Sequence, residues 1–440
     1  MGVGGWAWEV RGGTGIRPLR VQGLWALPID AAPIRDAAVL IGADGRIAAI
    51  GPAQSVPTPP DAETLDYGAG ILLPGLVNTH THLELTGFQQ TASEQDFRRW
   101  ILSIRRLKQA RRAEEFLEAA RRGLLECWAG GVTTIADTGD SGAVIQALDE
   151  LEGSGVAYHE VFGPHPDQLE ETFSDVRRRI AELSRHAGHR VQLGVSPHAP
   201  YTVSGPLYSR VAEWAHREGL PLAVHIAESR AEREFVSQGT GPFAEAWAAR
   251  GIPLGQRDGG TEGQRDRTGM TPVGLLDYHG VLGPDTLCIH AIELDDSDIA
   301  LLAERGAAVA HCPVSNAAHA HGTAPLAALR AAGVRVGIGT DSVASVGQLD
   351  LFREARAAQA IAKLSDEQTL ALATLEGARA LAREQEIGSL SRGKWGDLIA
   401  VEPAGGAART APIRAVLQAA PQDVRLTVLG GRMVHRRAPA

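Results

Sequence analysis

The run ILLPGLVNTHTHLEL, residues 71–85, decides how the rest of the chain is read. An apolar segment ends in two histidines, His80 and His82, separated by one residue. In a strand, residues i and i+2 share a face, so both imidazoles can reach one metal ion from the mouth of a sheet. Working outward, three more groups stand at the ends of apolar runs: His225 in PLAVHIAES, His290 in TLCIHAIEL and Asp341 in VRVGIGTDS. Glu228 follows three residues after His225. Together they predict a mononuclear metal site on a barrel rim, poised to activate water.

Apolar, β-branched runs recur at 71–77, 132–137, 156–162, 191–196, 221–227, 286–291, 307–312 and 334–339. Amphipathic helical stretches separate them, among them EQDFRRWILSIRRLKQARRAEEFLEAARRGLLECW and DDSDIALLAERG. Strands buried on both faces with helices between them predict a parallel sheet. Eight such units predict an α/β fold of the (β/α)8 TIM-barrel type. A doubly wound sheet is the alternative, but no GxGxxG opens a helix after a strand. The flanks differ: short strands with turns, a hairpin around ADG at 43–45, and similar runs after GSLSRGKWGDLIAVE. They predict one small β-sandwich domain built from both termini, residues 1–73 with 385–440, around a barrel at 74–384. The polar, glycine-rich stretch 253–272 reads as an inserted surface loop, with a lid as the sharper reading.

The 440 residues carry a net charge of −9, which argues against nucleic acid as a partner. No apolar run approaches the ~20 residues that span a bilayer, and MGVGGWAWEVRGG lacks the apolar core of a signal peptide. Cys127, Cys288 and Cys312 form no CxxC pair and are odd in number. A reducing, cytoplasmic setting is the expectation. The composition is compatible with a monomer or a homo-oligomer.

Neutral imidazole is a favoured ligand of zinc and similar metals. His80 and His82 supply two nitrogens, and His225 can complete a three-histidine set. His290 is either a further ligand or a group that orients or deprotonates the attacking water. Asp341 can bind the metal and accept a hydrogen bond from its water. Glu228, just beyond His225, is the natural proton donor to a leaving group or the ring nitrogen beside it. A second HxH, His319 and His321 in AAHAHGTAP, reads as a polar loop, with a substrate contact as the sharper option. No lysine lies between Lys108 and Lys363, so no central strand can supply a carboxylated lysine to bridge two metals.

With these residues assembled, the chain resembles the amidohydrolase superfamily, in its branch of mononuclear aromatic aminohydrolases and chlorohydrolases. LLPGLVNTHTHLE, SPHAPYTVS, HIAES, LCIHAIELDDSDIALLAERG, AHCPVSN, GIGTDS and GKWGDLIAVE carry the resemblance over nearly the whole chain. It implies one divalent metal per chain, zinc or iron, held by His80, His82, His225 and Asp341. It implies Glu228 as proton shuttle to a ring nitrogen, and His290 as a catalytic residue beside the metal-bound water. The implied chemistry is attack of metal-bound hydroxide on an sp2 carbon of a heteroaromatic small molecule, with loss of ammonia. HTHLEL, SPHAPYTVS and GTDSVAS are similar to the aminodeoxyfutalosine deaminases of menaquinone biosynthesis. That narrower likeness implies a 6-aminopurine nucleoside carrying a benzoate, with Glu84, Trp100 and His198 as substrate contacts. Glu84 can alternatively support a metal-bound histidine. Arg105 and Arg106 are candidate partners for the carboxylate. The loop NAAHAHG and the 253–272 insertion depart from the pattern. Hydrolysis of a chloro-, alkylthio- or alkylamino-heterocycle or a cyclic amide at the same site is the alternative reaction. A catalytically silent metal- or ligand-binding barrel is the non-enzymatic one.

Overall fold

Two eight-stranded sheets organise the computed structural model, which describes residues 17–94, 97–254, 269–404 and 406–437. The first sheet is built from both flanks. Strands Leu19–Ala26, Ile34–Ile41, Ile47–Pro52, Glu63–Asp66 and Ile71–Pro74 join Leu398–Val401, Val424–Leu429 and Arg432–Arg436. The flanks meet where Ile71–Pro74 pairs antiparallel with Leu398–Val401. The hairpin expected around residues 43–45 is present, with Gly45 at φ 76° between antiparallel strands. Val21, Val39, Ile47, Leu72, Leu398 and Val428 bury one shared apolar core.

The second sheet is the (β/α)8 barrel. Its strands are Leu76–Thr81, Val132–Gly139, Gly155–Val161, Val191–Pro197, Leu222–Ile226, Thr286–His290, Ala308–His311 and Arg335–Ile338. All neighbouring pairs are parallel. The apolar run at 71–77, expected as one strand, is divided. Ile71–Pro74 belongs to the outer sheet and the barrel begins at Leu76. Gly75 is the joint, since a Cβ there would lie 2.1 Å from Thr133 Oγ1. The long helical stretch after residue 94 is likewise two helices, Phe97–Ala110 and Ala113–Ala129.

Alternation along the barrel strands sorts side chains into two layers. Leu222, Val224, Cys288 and Val309 face the surrounding helices, whereas Ala223, Leu287, Ile289 and Ala308 share the interior cluster. His225 has the parity of Ala223 and points inward. The helix in DDSDIALLAERG spans Asp296–Arg305 for local reasons. Asp295 caps it by accepting from the Ser297 and Asp298 amides, each at 3.1 Å, and Gly306 ends it at φ 69°.

The barrel closes at a seam between its first and last strands. Asn78 and Thr340 exchange two hydrogen bonds, Nδ2 to Oγ1 at 2.8 Å and amide to Oδ1 at 3.1 Å. The Asp341 amide donates to the His80 carbonyl at 3.0 Å. Gly339 permits this approach, as a Cβ would sit 2.6 Å from the His80 nitrogen. No helix among the described residues is long and apolar enough to cross a membrane. Residues 255–268, most of the stretch read as an inserted loop, lie outside the described residues.

Candidate active site

The ends of the barrel strands converge on one buried point. His80, His82 and Asp341 present ligand atoms within 4.8 Å of one another, and so do His80, His225 and His290. The His82 Nδ1 lies 2.7 Å from the Thr138 carbonyl, an acceptor, so Nδ1 carries the proton and Nε2 presents its lone pair. His80 is fully buried and neither ring nitrogen has a hydrogen-bond partner; His225 Nδ1 is equally orphaned. Burial, and then the neighbouring imidazoles, push both rings well below the ordinary histidine range, so both are neutral donors. Asp341 Oδ1 faces His80 Nε2 at 3.7 Å and His82 Nε2 at 3.6 Å. These distances are too long for hydrogen bonds and suit donors that share an ion. The other oxygen, Oδ2, accepts from Ser315 Oγ at 2.5 Å. Neutral imidazoles and one fixed carboxylate therefore fit a divalent metal of the zinc type.

Strand alternation does not explain every member. His290 has the parity that faces outward, but its φ of 72° breaks the strand. Its ring comes within 5.5 Å of His225 and 5.7 Å of His80. Ala227 (φ 51°) and Asp341 (φ 57°) are also left-handed. Such conformations cost on the order of 1–3 kcal/mol each in non-glycine residues and concentrate at functional sites. Glu232, wholly buried, ties down the turn at Ala227 by accepting from the amides of Ala227 (2.8 Å) and Glu228 (2.9 Å).

Glu228 is 6% exposed and framed on both oxygens. His321 Nδ1 stands 3.4 Å and His290 Nε2 3.6 Å from Oε1, and the Tyr201 phenol donates to Oε2 at 3.5 Å. Burial alone would raise its pKa, but His290 and His321 hold the carboxyl well below its usual range. Asn316 Oδ1 lies 3.0 Å from His290 Nδ1 and fixes that ring from behind.

A cleft of about 410 Å³ opens onto these groups, a size that suits a nucleoside. It is lined by His82, His225, Glu228, His290 and Asp341 together with all three expected substrate contacts, Glu84, Trp100 and His198. Trp100 anchors its indole by donating to the Ala344 carbonyl at 3.0 Å. His198 stacks on His225 at 4.7 Å, and burial pushes its pKa down to about 3. Glu84 is occupied by the protein. Its Oε1 accepts from Lys108 Nζ at 2.7 Å, and its Oε2 from the Ser141 amide at 3.1 Å and from the Ser141 hydroxyl. Burial opposes ionisation, yet Lys108 and Ser141 hold this carboxyl at about 2. Arg105 lines the cleft, as does Arg250; Arg106 does not.

Several residues here carry no signal in the sequence. Glu160, 6% exposed on the third barrel strand, lines the cleft with an oxygen that has no hydrogen-bond partner and faces His198 at 4.0 Å. It forms a third possible ligand group with His82 and His225, and burial raises its pKa to about 8. Tyr201, Ser315, Asn316 and Glu232 act through contacts made only in the folded chain. His319 and His321 lie in a loop, as expected, but their two rings are buried and not exposed. The helix Pro313–Ala318 ends in a left-handed turn at Ala320 (φ 53°), which folds both rings inward. Neither lines the cleft.

Fold and rim together define a barrel hydrolase whose strand ends could hold a metal. Residues 71–434 match the amidohydrolase family, and the chain belongs to it, as a hydrolase of carbon–nitrogen bonds. It is 33% identical over 423 residues to a 5'-deoxyadenosine deaminase of Methanothermobacter thermautotrophicus, covering 93% of this chain and 91% of that one. It is 32% identical over 312 residues to an aminodeoxyfutalosine deaminase of Deinococcus radiodurans, covering 71% and 73%. A zinc-bound adenosine deaminase from Xanthomonas campestris superposes with a TM-score of 0.79 at 26% identity, covering 94% of this chain and 92% of that one.

Proposed function

We propose that this protein is a metal-dependent deaminase of 6-aminopurine nucleosides modified at the 5' position, an aminodeoxyfutalosine-type substrate among them. The observation that carries the reading is that Glu228, 3.6 Å from His290, shares a nucleoside-sized cleft with His82, His225 and Asp341. The adenosine-type deaminases among the relatives support it. His80, His82, His225 and Asp341 would hold the ion, zinc by the donor set. The chemistry such an ion supplies is Lewis acidity, which lowers the pKa of a bound water from 15.7 to about 7.

The remaining steps belong to the chain. Glu228, ionised at rest, takes a proton from the attacking water and passes it to the ring nitrogen beside the reacting carbon. Asp341, fixed through Oδ2 by Ser315, takes the remaining proton of the water oxygen once that oxygen is bonded to carbon and gives it to the departing amino group. His290, held by Asn316, orients the water. Water adds its oxygen at C6, the C–N bond breaks, and ammonia leaves with a hydroxypurine tautomer as product. Trp100 and Phe162 offer aromatic walls to the base, and His198 a ring nitrogen. Arg105 and Arg250 supply positive charge for an acidic 5' substituent, which supports the aminodeoxyfutalosine-type reading.

Ammonia release by metal-analysed protein tests this, with 5'-deoxyadenosine, aminodeoxyfutalosine, adenosine, S-adenosylhomocysteine and guanine as substrates. Selective turnover of a 5'-modified adenosine is expected. The Glu228→Gln variant should keep its metal and lose roughly 10²–10⁴-fold in kcat. Full activity in that variant sinks the role of Glu228, and turnover of guanine alone sinks the substrate class.

A further inference from the structure

The reaction as written leaves the second HxH unused, although both of its imidazoles are buried. His319 is 7% exposed, and the His321 side chain 6%. Their inward turn is held by backbone bonds: the Ala320 amide donates to Ala317 O at 3.1 Å and the His321 amide to Asn316 O at 3.0 Å. The two rings stack at 5.4 Å. His319 also meets Trp100 edge to face at 4.8 Å, and Trp100 is a wall of the cleft. A contiguous set of rings therefore runs from the substrate wall to His321, whose Nδ1 stands 3.4 Å from Glu228 Oε1.

A buried carboxylate needs donors, and a carboxylate that moves a proton must be aimed to within about 0.5 Å. Glu84 shows how this chain locks an acid that stays in place, with an ammonium at 2.7 Å. Among the described residues Glu228 has no such partner. Its carboxyl oxygens meet His321, His290 and Tyr201 at 3.4–3.6 Å, contacts that hold the group in direction while leaving it free to exchange a proton.

We propose that His321 is a positioning residue for Glu228: its Nδ1–H steadies Oε1, with His319 stacked behind it against Trp100. This rests on Glu228 being the proton carrier.

Two substitutions separate positioning from packing. His321→Asn places an amide nitrogen where Nδ1 stands, and His321→Leu keeps bulk without a donor. Full-chain, metal-loaded protein is assayed for kcat, KM, metal per chain and melting temperature, beside Glu228→Gln. His321→Leu should lose about ten- to hundredfold in kcat, the scale of a hydrogen bond to a charged group. Its KM and metal content should change less than about twofold, and His321→Asn should recover most of the rate. If the Leu variant does not fold, His321→Gln replaces it; its amide reaches the Nε2 position, and the same loss is expected. Equal losses in the Asn and Leu variants, a rise in KM without a fall in kcat, or an undiminished kcat overturn the inference. Where Glu228→Gln is inactive but His321→Leu is fully active, the inference alone fails. Where Glu228→Gln is fully active, or the unsubstituted chain releases no ammonia, the proposed function fails and the inference with it.

Discussion

The same three-residue pattern, HxH, occurs twice in this chain and is put to two uses. His80 and His82 lie at the end of the first barrel strand, where extended backbone aims both rings toward Asp341. His319 and His321 follow a six-residue helix, and a left-handed residue between them stacks the rings behind Glu228. In the first pair the nitrogens face a carboxylate that also accepts from a serine hydroxyl and an amide. In the second, one nitrogen faces a carboxylate already attended by His290 and Tyr201. Residue type and spacing are identical, so the backbone alone decides which pair can chelate.

The sharpest way to break this contrast is to remove one ring from each pair. His82→Ala should lose most of its metal and more than about a hundredfold in activity, beyond the 10–100-fold that outer partners of a metal site carry. His319→Leu should keep its metal. Metal analysis and ammonia release on the two purified variants check this, and metal loss in the second would erase the distinction. A smaller effect lies at the mouth of the cleft. Arg105→Ala should raise KM roughly five- to tenfold for a nucleoside bearing a carboxylate and leave 5'-deoxyadenosine unchanged, as read from paired kinetics. Equal changes for both substrates would move Arg105 out of substrate recognition.

The smallest effect lies beyond both pairs, in the loop after His290. Asp295→Ala removes a helix cap and should cost about 1 kcal/mol in denaturant unfolding at neutral pH. The Asp295 carboxyl is held at about 2, below the ordinary 3.8, by the Ser297 hydroxyl first and, against burial, by Arg233. A depressed pKa gives stability that is complete above about pH 4 and lost as pH falls toward 2. The difference between variant and unsubstituted chain should shrink over that window, and a constant difference would refute the assignment.

The barrel was legible because each strand is an apolar run punctuated by a polar residue, and strand ends are where a barrel keeps its chemistry. His80, His82, His225, His290 and Asp341 all sit at such ends. Trp100 and His198, expected from the narrower likeness as substrate contacts, line the cleft. What stayed hidden depends on contacts across the chain. Lys108 meets Glu84 from 24 residues away, and Ser315 meets Asp341 from 26. Glu160 lies inside a strand and looks like any acid until its burial is known. The division at Gly75 turns on a close approach to Thr133 that no local pattern encodes. For His321, the loop was legible but its burial was not, because a left-handed alanine leaves no mark in composition.

The seam has a consequence for how this protein comes to exist. Thr81 Oγ1 donates to the Asp341 carbonyl at 3.1 Å, across 260 residues of chain. A closure of that span comes late, since every intervening strand must already be stacked before the contact stabilises anything. The proposed metal ligands straddle this closure: His80 and His82 flank Thr81, His225 lies within the span, and Asp341 is its far end. Synthesis therefore passes three-quarters of the chain before the site can assemble. A chain that stops before the last barrel strand, Arg335–Ile338, would leave the barrel an open sheet with exposed edge strands, a form prone to pair with its own kind.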